Sequence, residues 1–157
     1  MRIKKTNITL KKAIAGDADF LLDLRNQPDV FRYSRQNRPV SAKEHAEWFA
    51  AAISSQSGKN IFIVLNEGKP AGQIRFDLNG RDAEISISIK KEIRGKGAAR
   101  QALAEIIKII REEKKADTIT AQIHKDNAAS KKLFEGSGFL PRKTQEPWQE
   151  FHFNLKQ

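Results

Sequence analysis

The chain has 157 residues, of which 39% are hydrophobic and 31% charged, the composition of an ordinary soluble domain that can bury a core. Its 29 lysines and arginines outnumber 19 aspartates and glutamates, and the net charge of +10 favours anionic partners such as phosphorylated small molecules. The absence of cysteine excludes disulfides and thiolate nucleophiles, and the three histidines lack metal-ligand spacing. We expect one domain over residues 1–157, no metal, no membrane-spanning or secretory segment, and a cytoplasmic location.

The N-terminal part is predicted to hold a strand over residues 8–13 and a helix that starts at Asp17 and runs to about residue 26. Pro28 is expected to end this helix, and residues 27–39 are predicted to form a connecting loop. Many hydrogen-bonding side chains lie in or beside this loop, which is either an ordinary polar connection or a loop that faces a substrate. They are Arg25, Asn26, Arg32, Tyr33, Ser34, Arg35 and Arg38.

Residues 41–54 have the pattern of a well-defined helix. Ser41 and Glu44 are spaced as a capping box. His45 and Trp48 lie three residues apart at the edge of the apolar stripe, where they either pack at the boundary of the core or line a pocket. The apolar stripe itself is predicted to be Ala42, Ala46, Phe49, Ala50 and Ile53.

Three strands in an antiparallel meander are predicted next, over residues 60–65, 69–77 and 82–90. The Asn79-Gly80 pair between the last two is a strong hairpin signal. In the third strand two sets of side chains alternate between opposite faces of the sheet. One set is Ile85, Ile87 and Ile89, and the other is Glu84, Ser86 and Ser88.

A short basic loop, Arg94-Gly95-Lys96-Gly97, connects this strand to a long helix predicted over residues 97–114. The start of a helix presents unpaired backbone N–H groups and the positive end of a dipole, and glycines let a ligand approach the backbone closely. The loop is therefore predicted to be a cradle for phosphate. An ordinary strand–turn–helix corner with solvated basic side chains is the alternative.

The C-terminal part is predicted to hold a strand, a helix and a closing pair of strands. The strand over residues 118–123 follows a strand–helix unit, so we expect it to lie parallel to the strand over residues 82–90. The helix is capped by Asp126 or Asn127 and runs from residue 128 to about residue 137. The closing strands are expected from residue 139 onward and over residues 150–155.

Two motifs resemble those of the GCN5-related N-acetyltransferase (GNAT) family. Residues 94–99, Arg-Gly-Lys-Gly-Ala-Ala, match the family's loop pattern completely. Residues 127–139 match its second pattern except that Phe134 stands where the family has tyrosine. The resemblance covers essentially the whole chain. It implies an α+β GNAT fold with a mixed, mostly antiparallel sheet of about seven strands, flanked by about four helices and splayed between the fourth and fifth strands.

The resemblance implies that acetyl-CoA is the co-substrate. Its pyrophosphate is expected at the N–H groups of residues 95–99, and its pantetheine arm is expected along the exposed strand edge near Ile87 and Ile89. Asn127 and Ser130 share a helix face that would border this arm. The expected acetyl-CoA-binding residues are Ile87, Ile89, Arg94, Gly95, Lys96, Gly97, Ala98, Ala99, Arg100, Asn127 and Ser130.

The N-terminal half is similar to one branch of the family in a scattered set of residues: Arg25-Asn26, Val30, Arg32, Ser34, Glu44-His45 and Trp48. That branch acetylates the amine of nucleotide-linked amino sugars, with the enzymes of the pseudaminic acid route nearest. The resemblance implies a small-molecule acceptor, which disfavours a nucleic-acid partner and leaves a homodimer open. No membrane partner is expected, because the chain has no apolar run long enough to span one. The expected acceptor-binding residues are Arg25, Asn26, Tyr33, His45, Trp48 and Arg75. The alternatives are acetylation of a protein N-terminus, as in the branch acting on ribosomal proteins, and a non-catalytic module that binds CoA or RNA.

In this family a neutral amine attacks the thioester directly while both substrates are bound. Glu84 is the expected base, directly or through a water, and His45 is the rival because histidine titrates near neutral pH. A backbone N–H near Ile89 is expected to stabilise the oxyanion. Phe134 cannot donate a proton, but a thiolate can leave with little help. The remaining candidates for protonating it are Tyr33 and a water held by Asn127 or Ser130.

Overall fold

A computed structural model describes residues 7–156, and within them the chain forms seven strands and five helices. The strands are β1 (Ile8–Lys12), β2 (Lys59–Asn66), β3 (Lys69–Asn79), β4 (Asp82–Ile89), β5 (Thr118–His124), β6 (Leu140–Gln145) and β7 (Trp148–Asn154). The helices are α1 (Ala18–Arg25), α2 (Pro28–Phe31), α3 (Ala42–Ala52), α4 (Ala98–Glu112) and α5 (Ala128–Gly136). Between residues 7 and 156 no helix is long and apolar enough to cross a membrane. The basic N-terminal residues, for which no secretory role is predicted, lie largely outside this range.

The seven strands form one sheet in the order β1-β2-β3-β4-β5-β7-β6. All neighbours are antiparallel except β4 and β5, whose residues 82–84 and 118–120 pair in parallel. Beyond Glu84 the two strands separate, so the edge of β4 that faces β5 is left open. The predicted α+β fold, its mixed sheet and its splay between the fourth and fifth strands are confirmed.

Two hydrophobic clusters lie on opposite faces of the sheet, because neighbouring residues of β2 alternate between them. The larger cluster packs α4 and Phe134 of α5 against the sheet, and the smaller one packs α1 and α3 against β2. The larger cluster includes Ile74, Phe76, Leu103, Ile106, Ile110 and Ile119, and the smaller one includes Leu21, Phe49, Ala52, Ile61 and Ile63. Both sides of the sheet are thus covered, and the splay opens between them.

Helix α3 buries a different face from the predicted one. Its buried residues are His45, Phe49 and Ala52, whereas Ile53 and the alanines of the predicted stripe are exposed. The alanines bury little area each, so the large ring of Phe49 decides which side turns to the sheet. The Ser41 hydroxyl caps the helix by accepting a hydrogen bond from the N–H of Glu44, as predicted.

The predicted loop over residues 27–39 contains a short helix, α2, which raises the number of helices from the expected four or so to five. Pro28 is its first residue, where a missing N–H costs nothing and the fixed φ angle suits a helix. Pro28 therefore starts a helix as well as marking the end of α1.

Candidate active site

A cleft of about 630 Å³ lies where β4 and β5 separate. Its walls come from both halves of the chain. The helices α1 and α3 and the segment after α2 lie on one side, and β3, β4, β5, the start of β7 and α5 lie on the other. The cleft therefore connects the open edge of β4 with the space enclosed by α1 and α3.

The floor of the cleft on the side of α3 is polar because of strand alternation. The isoleucines of β4 face the α4 core, so the residues between them face the cleft. Their cross-strand partners on β3 line the cleft as well. The pairs are Glu84 with Asp77, Ser86 with Arg75, and Ser88 with Gln73.

The open edge of β4 presents backbone hydrogen-bonding groups to the gap. The N–H of Lys90 donates to the carbonyl of Ala71 on the β3 side at 2.7 Å. Backbone groups of successive residues in an antiparallel pair point to alternate sides, so those of Ile87 and Ile89 point away from β3 and towards β5. This geometry fits an extended, amide-bearing arm, as predicted for pantetheine. The Ile89 side chain itself is buried in the core.

The basic loop between β4 and α4 has the backbone conformation of an anion cradle. Gly95 and Gly97 have φ angles of 79° and 82°, in the left-handed region that favours glycine. Gly97 is the N-cap of α4, so the N–H groups of the first turn are directed out of the helix towards the exposed loop. These residues fit a pyrophosphate, and the exposed Lys96 and Arg100 flank them.

Arg94, the first residue of the motif, is bound to the protein. Its Nε donates to the Ile89 carbonyl at 2.8 Å, and its guanidinium forms an ion pair with Asp29 of α2. It therefore anchors the basic loop to the end of β4 and to α2. Arg94 was predicted among the acetyl-CoA-binding residues, and these contacts give it the role of fixing the loop's position.

Helix α5 borders the cleft with three residues, Asn127, Ser130 and Phe134. The Asn127 side chain caps α5 by accepting a hydrogen bond from the N–H of Ser130 at 3.2 Å. Phe134 is only 3% exposed and packs edge-on against Phe139, with 5.0 Å between ring centres. The ring that replaces the family's tyrosine is thus part of the core at the wall of the cleft.

His45 lines the cleft from α3 and is only 7% exposed. Its ring packs against those of Trp48 and Phe49, at 5.8 and 5.9 Å between centres. Burial, with a smaller contribution from the positive charge of Arg25, lowers the pKa of His45. At neutral pH the imidazole is therefore neutral, the state in which it can accept a proton. Trp48 in turn packs under the guanidinium of Arg75, at 5.2 Å.

The lowered pKa of His45 predicts a pH dependence of stability. The unfolded chain takes up this proton near pH 6.5 while the folded protein takes it up only at lower pH, so acidification through this range favours unfolding. We expect urea denaturation between about pH 7.5 and pH 5 to show a shallower loss of stability in His45→Gln than in the wild type. Lys43→Gln, on the exposed face of α3, should keep the wild-type slope. An unchanged slope in His45→Gln would contradict the burial argument.

Glu84 lies at the apex of the gap, as the last residue of β4 that pairs with β5. Its side chain is 42% exposed and lies 3.6 Å from the guanidinium of Arg35, which is itself exposed. Such an exposed ion pair contributes little stability. The carboxylate is therefore accessible from the cleft, which suits the predicted role as a base.

Asn26, predicted to bind the acceptor, has a structural position instead of a place in the lining of the cleft. Its side-chain amide donates to the carbonyl of Val40 and accepts from the N–H of Val40, both at 2.8 Å. These two hydrogen bonds join the end of α1 to the residue that precedes the cap of α3. Arg25, Tyr33, His45, Trp48 and Arg75, the other predicted acceptor-binding residues, all line the cleft.

This double hydrogen bond predicts a loss of stability in Asn26→Ala. Removing the amide leaves both backbone groups of the half-buried Val40 without their partner, which costs about 1–3 kcal/mol. We expect chemical denaturation to show this loss. Gln27→Ala, at the next residue, is the control because the Gln27 side chain makes no capping hydrogen bond. Equal stabilities of the two variants would contradict the proposed clamp.

Several cleft residues were not predicted, among them Gln122 and His124 on β5 and Trp148 at the start of β7. The His124 ring lies between those of Tyr33 and Trp148, with 5.7 and 5.3 Å between centres. The sequence signal that β5 lines the cleft is the alternation of its polar residues Thr120, Gln122 and His124, which repeats the polar alternation of β4. Within residues 7–156 no group of three or more histidine or carboxylate side chains is placed to hold a metal ion.

Comparison with known proteins gives a consistent result. The sequence model of a protein family, the acetyltransferase (GNAT) domain, matches residues 7–140 of this chain. Acetyltransferase PseH of Campylobacter jejuni (strain 81-176) is 26% identical over 156 residues, which are 99% of this chain and 94% of that protein. Spermidine N-acetyltransferase from Vibrio cholerae, solved with CoA and spermine, superimposes with a TM-score of 0.85 at 20% identity, over 95% of this chain and 96% of that one. RimL, a ribosomal L7/L12 alpha-N-protein acetyltransferase solved with coenzyme A, gives 0.82 at 13% identity, over 98% and 96%.

Proposed function

The chain belongs to the acetyltransferase (GNAT) domain family and is an acyl-CoA-dependent N-acetyltransferase, and we propose that its acceptor is the primary amine of a nucleotide-linked amino sugar. The observation that carries this proposal is the continuity of the cleft. At one side lie the open edge of β4 and α5, which suit the arm of acetyl-CoA, and at the other lies a pocket lined by arginines and aromatic rings.

The charges of the pocket favour a phosphorylated acceptor. Arg25, Arg35 and Arg75 all line it, and a guanidinium is a good partner for phosphate oxygens. Three carboxylates line the cleft as well, so it suits an acceptor that carries both phosphate groups and an amine. A single ammonium group can reach Glu84, the carboxylate at the apex of the gap. The identity of 26% with Acetyltransferase PseH over almost the whole chain supports a related acceptor.

Aromatic rings at the side of β5 suit the nucleotide part of such a substrate. Tyr33, His124 and Trp148 form a contiguous group at the cleft, and ring faces of this kind stack against nucleobases. Arg32 packs over the Tyr33 ring at 4.5 Å and donates to its hydroxyl, which adds positive charge beside the group. A nucleobase and its phosphates would thus meet rings and guanidinium groups together.

Each step of the proposed acetyl transfer is assigned to particular residues of the cleft. When bound, acetyl-CoA supplies the acetyl group, and its C–S bond breaks as the new C–N bond to the amine forms. In this proposal the N–H groups of residues 95–99 hold its pyrophosphate, and the N–H of Ile89, on the side of β4 that faces the gap, donates to the thioester carbonyl. Glu84 takes the proton of the acceptor ammonium, directly or through a water. Phe134 offers no proton, so the sulfur leaves as thiolate, which a thiol pKa of about 8.5 allows, and water carries the second proton of the amine nitrogen to it as the C–S bond breaks.

The direct test is CoA release by the purified protein with acetyl-CoA and a panel of amines. The panel holds UDP-linked 4-amino-dideoxy sugars, UDP-glucosamine, spermidine and a short peptide with a free N-terminus. We expect release with one of the nucleotide-linked amino sugars only. Release with the peptide or spermidine alone would overturn the proposed acceptor but leave the acetyltransferase activity. Tight acetyl-CoA binding without release for any amine would favour a CoA-binding module.

A further inference from the structure

Glu150 on β7 is a buried carboxylate that none of these steps uses. The residue is 9% exposed, and its Oε2 has no hydrogen-bond partner among the described residues. The nearest cation is Arg142 on β6, whose Nε lies 3.7 Å from Oε2. Its Oε1 accepts a hydrogen bond from Nε2 of Gln122 at 2.9 Å. Burying a carboxylate is costly unless it is well paired, so the contact with Gln122 needs a reason.

Gln122 lies at the point of the cleft where the two substrates have to meet. It is two residues beyond Thr120, the last residue of β5 that pairs with β4, and Thr120 is opposite Glu84. By this register Gln122 faces the same side of the sheet as Glu84 and lies across the gap from Ser86. Gln122 and Ser86 both line the cleft.

Glu150 determines which way the Gln122 amide is turned. An ionised carboxylate can only accept hydrogen bonds, so the amide nitrogen of Gln122 has to face it. Exchanging the oxygen and nitrogen of the amide would bring two acceptors together and leave a buried carboxylate oxygen without a donor. The amide oxygen, Oε1, is therefore fixed on the side away from Glu150, as an acceptor at the cleft.

We propose that Gln122, held in this orientation by Glu150, orients the attacking amine. After Glu84 has removed a proton, a primary amine retains two N–H groups. One of them donates to Oε1 of Gln122, which leaves the lone pair free to face the gap. Gln122 thus contacts the acceptor, and Glu150 is a positioning residue that acts through it. This inference rests on the proposed amine acceptor but not on the sugar or the nucleotide.

Three variants test the pair. Glu150→Gln keeps the shape but can offer an NH2 group to Gln122, so the Gln122 amide is free to turn. We expect kcat/KM for the amine to fall about tenfold, with the Kd for acetyl-CoA unchanged. Gln122→Ala should lower kcat/KM at least as much, and adding Glu150→Gln to it should cause no further loss. Lys143→Gln, at the exposed residue of β6 that pairs with Glu150, leaves the contact with Gln122 in place and should keep wild-type kinetics. Independent, additive losses in the double variant would overturn the inference.

A second measurement needs no acceptor. In the wild type the side-chain amide protons of Gln122 should exchange slowly with solvent by NMR, because one of them is bonded to Glu150, and Glu150→Gln should speed this exchange. Equal exchange in both proteins would overturn the orientation argument. If the wild type acetylates only an amine without a nucleotide, the proposed acceptor fails, and the variants are then measured with that amine. The two failures are thus distinguished.

Discussion

Gly97→Trp is expected to abolish acetyl-CoA binding and to leave the fold intact. Gly97 has a φ angle of 82° and is the N-cap of α4, where the first N–H groups of the helix are predicted to bind the pyrophosphate. An indole there covers these groups, and the strained backbone moves them. Losing two charge-assisted hydrogen bonds, at about 1.5–3 kcal/mol each, weakens binding at least about a hundredfold. Isothermal titration with acetyl-CoA measures this directly.

Gly80→Trp is the matched control for this variant. Gly80 also has a left-handed backbone, with a φ angle of 62°, but it lies in the hairpin at the far end of β4 from the basic loop. Both variants should lose some thermal stability through backbone strain, and only Gly97→Trp should lose the ligand. Wild-type affinity of Gly97→Trp for acetyl-CoA would contradict the phosphate cradle.

The fold was predictable because its elements have strong local patterns. The polar–apolar alternation of β4, the Asn79-Gly80 hairpin and the glycines before α4 each determine a piece of structure within a few residues. A strand, a helix and a further strand then require a parallel pair, which is β4 with β5. The two motifs at residues 94–99 and 127–139 located the basic loop and α5 within this framework.

The parts of the site that were not predicted depend on contacts between distant residues. Asn26 and Arg94 carry groups that suit a ligand, but their partners are Val40, Ile89 and Asp29, which spacing alone does not reveal. The predicted buried face of α3 was wrong for a related reason. Several alanines fit the helical pattern on one side, but packing of the single phenylalanine turns a different side to the sheet. A side chain's partner is set by tertiary packing, which a single helix or loop does not encode.

The cleft residues of β5 were missed for the same reason, because their position depends on tertiary pairing. Gln122 and His124 belong to the cleft because β5 pairs with β4 over only three residues and then separates from it. The sequence predicts the parallel pair, but the register that brings Gln122 opposite Ser86 follows only from the three-dimensional pairing. Polar residues that alternate along a strand in the same way as those of its splayed neighbour indicate that the strand lines the cleft.

Glu84→Gln is expected to lower kcat by about a hundredfold or more with little change in acetyl-CoA affinity, because general bases contribute about 10²–10⁴ to the rate. Glu84 lies at the apex of the gap and is accessible from the cleft, whereas His45 lies on α3 and packs against the rings of Trp48 and Phe49. The position of Glu84 lets its carboxylate reach an amine that enters the gap. The pH profile of kcat should then lose its acidic limb, which arises because protonation of the base slows the reaction.

His45→Gln separates the two candidate bases. If His45 only lines the acceptor pocket, this variant should raise KM for the amine and keep the pH profile of kcat. If instead His45→Gln removes the limb and Glu84→Gln keeps it, the neutral imidazole is the base, which its lowered pKa allows. Ser88→Ala, further along the same face of β4, controls for general disturbance of the cleft floor. The Ser88 hydroxyl cannot act as a base at neutral pH. Ser88→Ala should therefore change only KM and keep the shape of the pH profile of kcat, which Glu84 determines.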